Sequence, residues 1–114
     1  MRTRPELLAA ILAAAVTAAA AVSFATPAAP SVNIRLFQFR PAQIEIAAGT
    51  KVTWANEDDI VHTVTSGTPD TPAGSFTRRL EGKGAAATVE FSRPGTYPYF
   101  CERHRAMRGE IRVN

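Results

Sequence analysis

Cys101, His104 and Met107 stand three residues apart in the pattern Cys-x-x-His-x-x-Met. They are the side chains of this 114-residue sequence most able to do chemistry. The chain has one cysteine, two histidines and two methionines, and one of those methionines is Met1. Random placement would not be expected to gather three such rare residues into one short stretch. The other histidine, His62, lies 39 positions before the cysteine. One thiolate and two imidazoles make a soft, trigonal donor set, to which a thioether adds a weak, long axial contact. Structural zinc takes four strong Cys or His ligands, and catalytic zinc keeps one position open for water. Calcium and magnesium require oxygen ligands. A single copper ion fits best, because Cu(I) is soft and Cu(II) accepts both imidazole and thiolate. A site lying between the preferences of the two oxidation states rearranges little when an electron arrives or leaves.

Each residue also has an ordinary reading when taken alone. A lone cysteine is commonly a small buried hydrophobe, and a methionine commonly fills a core. His104 reads equally as a surface loop residue and His62 as a satisfied core histidine; the grouping is what favours ligation. Asn56 is either an ordinary turn former ahead of Glu57, Asp58 and Asp59 or a hydrogen-bonding support for the site. Tyr97 and Tyr99 share a side with Cys101 by alternation and read as packing residues.

The elements that must position these side chains are strands. Hydrophobic residues recur with period two nearly everywhere after residue 31, and no stretch offers a helical face. Val32, Ile34 and Leu36 alternate with polar residues, as do Ile44 and Ile46, Val52 and Trp54, Ala87, Val89 and Phe91, and Ile111 and Val113. Ile60, His62 and Val64 share one face, which aims His62 among core residues. Turn signals lie at Ala48-Gly49, Ser66-Gly67, Pro72-Ala73-Gly74, Gly82-Lys83-Gly84 and Arg93-Pro94-Gly95. Thr68 to Gly74 is the expected irregular loop. This spacing predicts an all-β, antiparallel sandwich of seven or eight strands. Strands over 95–101 and 109–113 leave residues 102–108 as a loop able to curl round an ion, and a neighbouring strand supplies His62.

The first residues stand apart from this domain. Arg2 and Arg4 precede the apolar, alanine-rich stretch Leu7 to Val22, and Ser23-Phe24-Ala25 offers a small-residue cleavage site. That is the layout of a secretory signal peptide, and 16 residues is short for a membrane span, which needs about 20. The expected organisation is a signal peptide over 1–25, a flexible Pro/Ala-rich lead-in over 26–31, and one domain over 32–114. Cleavage leaves Cys101 as the only cysteine of an exported domain, so no internal disulfide is available. A lone thiol in an oxidising compartment is a liability unless something occupies it. The formal charge of +3 falls to near +2 once Arg2, Arg4 and Glu6 are removed, too mild and too evenly spread for nucleic-acid binding. The one local excess is Arg103, Arg105 and Arg108, partly offset by Glu102 and Glu110.

The stretch Gly95-Thr96-Tyr97-Pro98-Tyr99-Phe100-Cys101 resembles the Gly-x-Tyr-x-Tyr/Phe-x-Cys strand of cupredoxins of the plastocyanin, pseudoazurin and amicyanin group. The two-residue gaps on either side of His104, followed by Met107-Arg108-Gly109, are most similar to amicyanins. Trp54-Ala55-Asn56 ahead of His62 is similar as well. The resemblance covers about residues 32–114. It implies a Greek-key β-sandwich with one type 1 blue-copper centre at one end, held by His62, Cys101, His104 and Met107. The sequence departs from the group at Glu102 and Arg103, where Ser/Thr and Pro are usual, and at Thr63, where Asn commonly follows the first histidine. In the group the second histidine sits in an apolar patch where electrons leave, whereas Arg103 and Arg105 flank His104 here.

The expected function is a periplasmic carrier that shuttles single electrons between redox donor and acceptor proteins with acidic docking surfaces. It is expected to work as a monomer, without stable membrane insertion after cleavage. A copper carrier or storage protein without a redox role is the alternative, although the chain has no Met- or His-rich tract of the kind such carriers favour. Two histidines cannot build the extra clusters of a multicopper enzyme, and neither a Gly-x-Ser-x-Gly motif nor a phosphate loop is present, so no enzymatic activity is expected.

Overall fold

The computed structural model describes residues 12–18 and 29–114. Most of the expected signal peptide, and residues 26–28 of the lead-in, therefore lie outside the described residues; residues 12–18 carry no regular secondary structure. Among the described residues, no helix is long and apolar enough to cross a membrane. The folded part is all strand: β1 (Ser31–Arg35), β2 (Gln38–Arg40), β3 (Gln43–Ile46), β4 (Thr50–Asn56), β5 (His62–Gly67), β6 (Pro72–Leu80), β7 (Ala86–Phe91), β8 (Gly95–Phe100) and β9 (Arg108–Val113). One sheet has the order β2-β1-β4-β7 and the other β3-β9-β8-β5-β6. The chain passes repeatedly from one sheet to the other, as in a Greek-key sandwich.

The alternating residues fill the space between the sheets. Val32, Ile34, Val52, Trp54, Val64, Leu80, Ile111 and Val113 are buried there with Phe39, Phe76, Phe91 and Tyr99. Each large apolar side chain taken from water contributes about 1.5–3 kcal/mol. The aromatic members interlock: Trp54 meets Tyr99 edge-on with ring centroids 5.3 Å apart, and Tyr99 meets Phe39 at 4.8 Å. Phe76 and Phe91 close the other side of the indole. At the near end of β8, Tyr97 Oη donates to the Arg93 carbonyl and pins the turn into that strand.

Several expectations need correction. Among the described residues there are nine strands rather than seven or eight, and two pairings are parallel, β1 with β4 and β3 with β9. Alternation reveals which face a residue occupies but not the direction of its neighbour, and each crossover returns a strand beside one far away in sequence. Leu36 points into solvent because it lies in the two-residue turn between β1 and β2 rather than on the strand. Ile60 is exposed and precedes β5, so it does not share the buried face of His62 and Val64. Ser66-Gly67 is the end of β5 and Pro72-Ala73-Gly74 the start of β6, which shortens the irregular loop to residues 68–71. Gly67 has φ +99°, and a Cβ there would collide with the backbone of Thr71 and of Pro72 and Ala73 at the start of β6. The glycine read as a turn is thus a bulge residue that lets two strands close on each other.

Gly109 plays a related part at the site end. It lies opposite Tyr99 in the β8–β9 register, and a Cβ on it would run into the buried tyrosine ring. Burial pushes the Tyr99 phenol up to about 12, and the nearby Trp54 indole opposes only part of that rise. Tyr99 Oη and Trp54 Nε1 are buried without a hydrogen-bond partner among the described residues, so the ring is held by packing rather than by its hydroxyl. We predict that Gly109→Ala lowers the unfolding free energy by about 1–3 kcal/mol through overpacking. Gly82→Ala, at a position open to solvent space, should stay within about 0.5 kcal/mol of wild type. Urea denaturation of both variants checks the difference.

Candidate metal centre

The hairpin of β8 and β9 carries the first three candidate ligands. Cys101 follows β8 directly, and the loop from 101 to 107 is closed by its own backbone. Cys101 N–H donates to the Met107 carbonyl at 3.1 Å, and Met107 N–H donates to the His104 carbonyl at 2.8 Å. Cys101 and Met107 are buried, and His104 is half-buried at the rim.

His62 opens β5, the strand next to β8, and is fully buried. The reactive atoms converge: Cys101 Sγ lies 3.8 Å from His62 Nδ1 and 3.8 Å from His104 Nδ1. All three donor atoms fall within 4.8 Å of one another, and the two imidazole rings are 5.2 Å apart. The structure thus brings together the cysteine and both histidines singled out from sequence. Met107, three residues after His104, is buried in the main core cluster together with Cys101. A thiol and two inward imidazole nitrogens, with a thioether close by, fit copper and offer nothing to a hard cation.

Backbone groups tie the two strands at this point. Thr63 N–H donates to Cys101 Sγ at 3.4 Å, and Glu102 N–H donates to Thr63 Oγ1 at 2.8 Å. Thr63 therefore ties β5 to the ligand loop twice: its amide reaches the sulfur and its hydroxyl reaches the Glu102 amide. The hydroxyl also shares a bond with Thr65, and Thr65 with Thr77 on β6.

The family model described as copper binding proteins of the plastocyanin/azurin family matches residues 28–114. The chain belongs to that family. This cupredoxin is 33% identical to amicyanin-alpha of Methylorubrum extorquens over 109 residues, covering 93% of this chain and 92% of the relative. It is 33% identical to plastocyanin A/B of Petroselinum crispum over 84 residues, 67% of this chain and 87% of the relative. Among solved structures it is similar to a purple cupredoxin from Nitrosopumilus maritimus, with TM-score 0.68, 25% identity and coverage of 75% of this chain and 99% of that one. It is likewise similar to amicyanin from Paracoccus versutus, with TM-score 0.66, 25% identity and coverage of 79% and 85%. Copper is accordingly the cofactor of this cupredoxin, and its donor set suits one type 1 ion.

Two further residues of the cupredoxin site escaped the sequence reading. Asp58 Oδ2 lies 2.8 Å from His62 Nε2, so the outer nitrogen is engaged and Nδ1 faces Cys101. The same carboxylate accepts the amides of Leu36 and Phe37 at 2.8 and 3.1 Å. Desolvation works to raise the Asp58 carboxyl, but the bonds from Phe37, His62 and Leu36 outweigh it and hold the group below its ordinary value. Phe37 meets His104 edge-on at 4.8 Å and His62 at 5.5 Å, so its ring covers both imidazoles. The available signals were the acidic residue four positions before His62 and the adjacent apolar pair Leu36-Phe37, which interrupts the alternation.

Asn56 supports the same region. It is buried; its Nδ2 donates to the Ile60 carbonyl at 2.8 Å and its Oδ1 accepts the Asp58 amide at 2.9 Å. It therefore shapes the connection between β4 and β5 that delivers Asp58 and His62: it forms a turn through the Asp58 amide and supports the site by doing so. Leu36 and Phe37 both have positive φ, 50° and 60°. Such a turn ordinarily takes Asn-Gly, and left-handed backbone costs about 1–2 kcal/mol per non-glycine residue. The two amide bonds to Asp58 offset part of that cost.

Proposed function

We propose that this protein is a periplasmic blue-copper electron carrier in which His62, Cys101, His104 and Met107 hold one copper ion and pass single electrons between a redox donor and a redox acceptor. The observation that carries the reading is the meeting of a buried thiol with two inward Nδ1 atoms at one end of a rigid sandwich. Bound there, copper supplies a one-electron couple. The protein's part is to fix the donors: the closed 101–107 loop, the Thr63 amide on the sulfur, and Asp58 behind His62 all resist movement between oxidation states. Membership of the plastocyanin/azurin family supports the same role, as does its argument against an enzyme. We further propose that residues 1–25 are an export signal, 26–31 a lead-in and 32–114 the working domain, which acts as a monomer.

The surface around His104 suits a partner protein. Apart from Leu12 and Val16, the exposed large hydrophobic residues among those described are Leu36, Phe37 and Ile60, all bonded into the site end through Asp58 or Asn56. Arg103 and Arg105 in the ligand loop, and Arg108 just after it, are exposed, which favours an acidic surface on the donor or acceptor. Arg105 is partly committed: it donates to the Pro69 carbonyl at 3.1 Å and lies 3.8 Å from the Asp70 carboxylate.

The direct test is the optical spectrum of the Cu(II)-loaded protein. An intense visible thiolate-to-copper band is expected, and Cys101→Ser should abolish it because the covalent thiolate bond is its source. A band that survives the substitution removes Cys101 from the site. Met107→Gln should retain copper but lower the reduction potential, since an oxygen ligand favours Cu(II); an unchanged potential and spectrum would argue against Met107 as axial ligand. For the partner surface, stopped-flow electron transfer with the natural partner should slow as salt is raised, because exposed charges are screened beyond about 8 Å at physiological ionic strength. Arg103→Ala/Arg105→Ala should reduce both the rate and its salt dependence, and a rate indifferent to both makes the arginines ordinary surface residues.

A further inference from the structure

We propose that Asp58 is the positioning residue of the metal centre: one carboxylate fixes the ring of His62 from behind and, at the same time, holds the turn that lays Phe37 across both imidazoles. The proposal rests on His62 being a ligand, as argued above, and concerns how this chain prepares that ligand before any metal arrives.

Three donors converge on Asp58. Oδ2 accepts from His62 Nε2 at 2.8 Å and from the Phe37 amide at 3.1 Å, and Oδ1 accepts from the Leu36 amide at 2.8 Å. An ionised carboxylate has no proton to give, so the shared hydrogen with His62 resides on Nε2. That leaves the Nδ1 lone pair directed at Cys101, which is the tautomer a metal requires there. The backbone that carries the carboxylate is itself held, because Asn56 Oδ1 accepts the Asp58 amide. The anion also sits against one ligand ring and therefore favours the more positive oxidation state of whatever ion the ring holds.

The second half of the role explains an otherwise unfavourable turn. The register of β1 against β2 pairs Arg35 with Gln38 and leaves Leu36 and Phe37 alone in the turn, both left-handed. Asn-Gly would form that turn without a brace. Leu-Phe needs one, and in return places an aromatic ring on His104 and His62. Backbone strain retained at such a place marks a functional constraint. Asp58 is hydrogen-bonded both to the ligand ring and to the backbone of the strained turn.

The test uses Asp58→Ala and Asp58→Asn in the full folded domain. In the copper-free protein, nitrogen NMR of the His62 ring should report the Nε2–H form in wild type and a mixture of tautomers in Asp58→Ala. Asp58→Asn keeps an oxygen able to accept from His62 but removes the charge. Its copper-loaded form should keep the visible band while its preference for Cu(II) over Cu(I) falls about tenfold. For a one-electron couple that is a rise of about 59 mV in reduction potential. A wild-type tautomer in Asp58→Ala, or an unchanged potential in Asp58→Asn, overturns the proposal and leaves Asp58 as a brace for the turn alone. Failure of the ligand assignment would look different: the wild-type protein itself would lack the band, whereas the copper-free tautomer measurement does not depend on it.

Discussion

The reciprocal latch between Thr63 and the Cys101–Glu102 segment is the contact on which the geometry of the site depends. β5 and β8 are directly in register only at Thr65 opposite Phe100 and Ser66 opposite Tyr99. Beyond that point the strands diverge around the space between His62 and Cys101, and ordinary ladder bonds stop. The Thr63 amide on Cys101 Sγ and the Glu102 amide on Thr63 Oγ1 continue the connection with atoms of the site itself. A hydrogen bond to sulfur is weak as a contribution to folding, yet it draws electron density from the thiolate and fixes its direction. The hydroxyl chain from Thr63 through Thr65 to Thr77 extends the same tie to β6, so the ligand loop is anchored to two strands rather than one.

Behind the latch, rigidity comes from packing, since the single cysteine leaves no disulfide to supply it. The Trp54, Tyr99 and Phe39 rings form a continuous edge-to-face stack reaching both sheets. Tyr99 touches Gly109 across the hairpin and lies two residues before Cys101. The ring therefore sets the distance between β8 and β9 where the ligand loop begins and ends. The loop is short, and its shape is dictated by how closely these strands approach.

Much of this was legible in the sequence because rarity and spacing are strong signals. Cys101, His104 and Met107 could be grouped by their intervals, the strand before them by its alternation, and His62 by being the other imidazole. What stayed hidden depends on three-dimensional return. Nothing in the pattern of Val32, Ile34 and Leu36 indicates that the chain turns at Leu36, because a turn built from Leu-Phe lacks the usual Asn or Gly. Its cause is Asp58, more than twenty residues away. The two parallel pairings were invisible for a similar reason: the sandwich face of a strand is encoded locally, but its neighbour is chosen by the crossovers. Strand β5 is buried along its whole length, so its alternation placed His62 with Val64 in the core but gave no sign that Thr63 and Thr65 on the other face were covered too.

The parallel union of β3 with β9 also sets an order of events. Ile46 lies opposite Val113, and the Asn114 amide donates to the Ile46 carbonyl, so this edge closes only after the chain has passed through both sheets. Contacts between segments so distant in sequence form late, because the intervening chain must first give up its freedom. The segment bearing His62 and Asp58 emerges from synthesis well before the thiol does. An incomplete chain thus offers a lone imidazole, and the donors come together only when β8 and the loop that follows it close against β5.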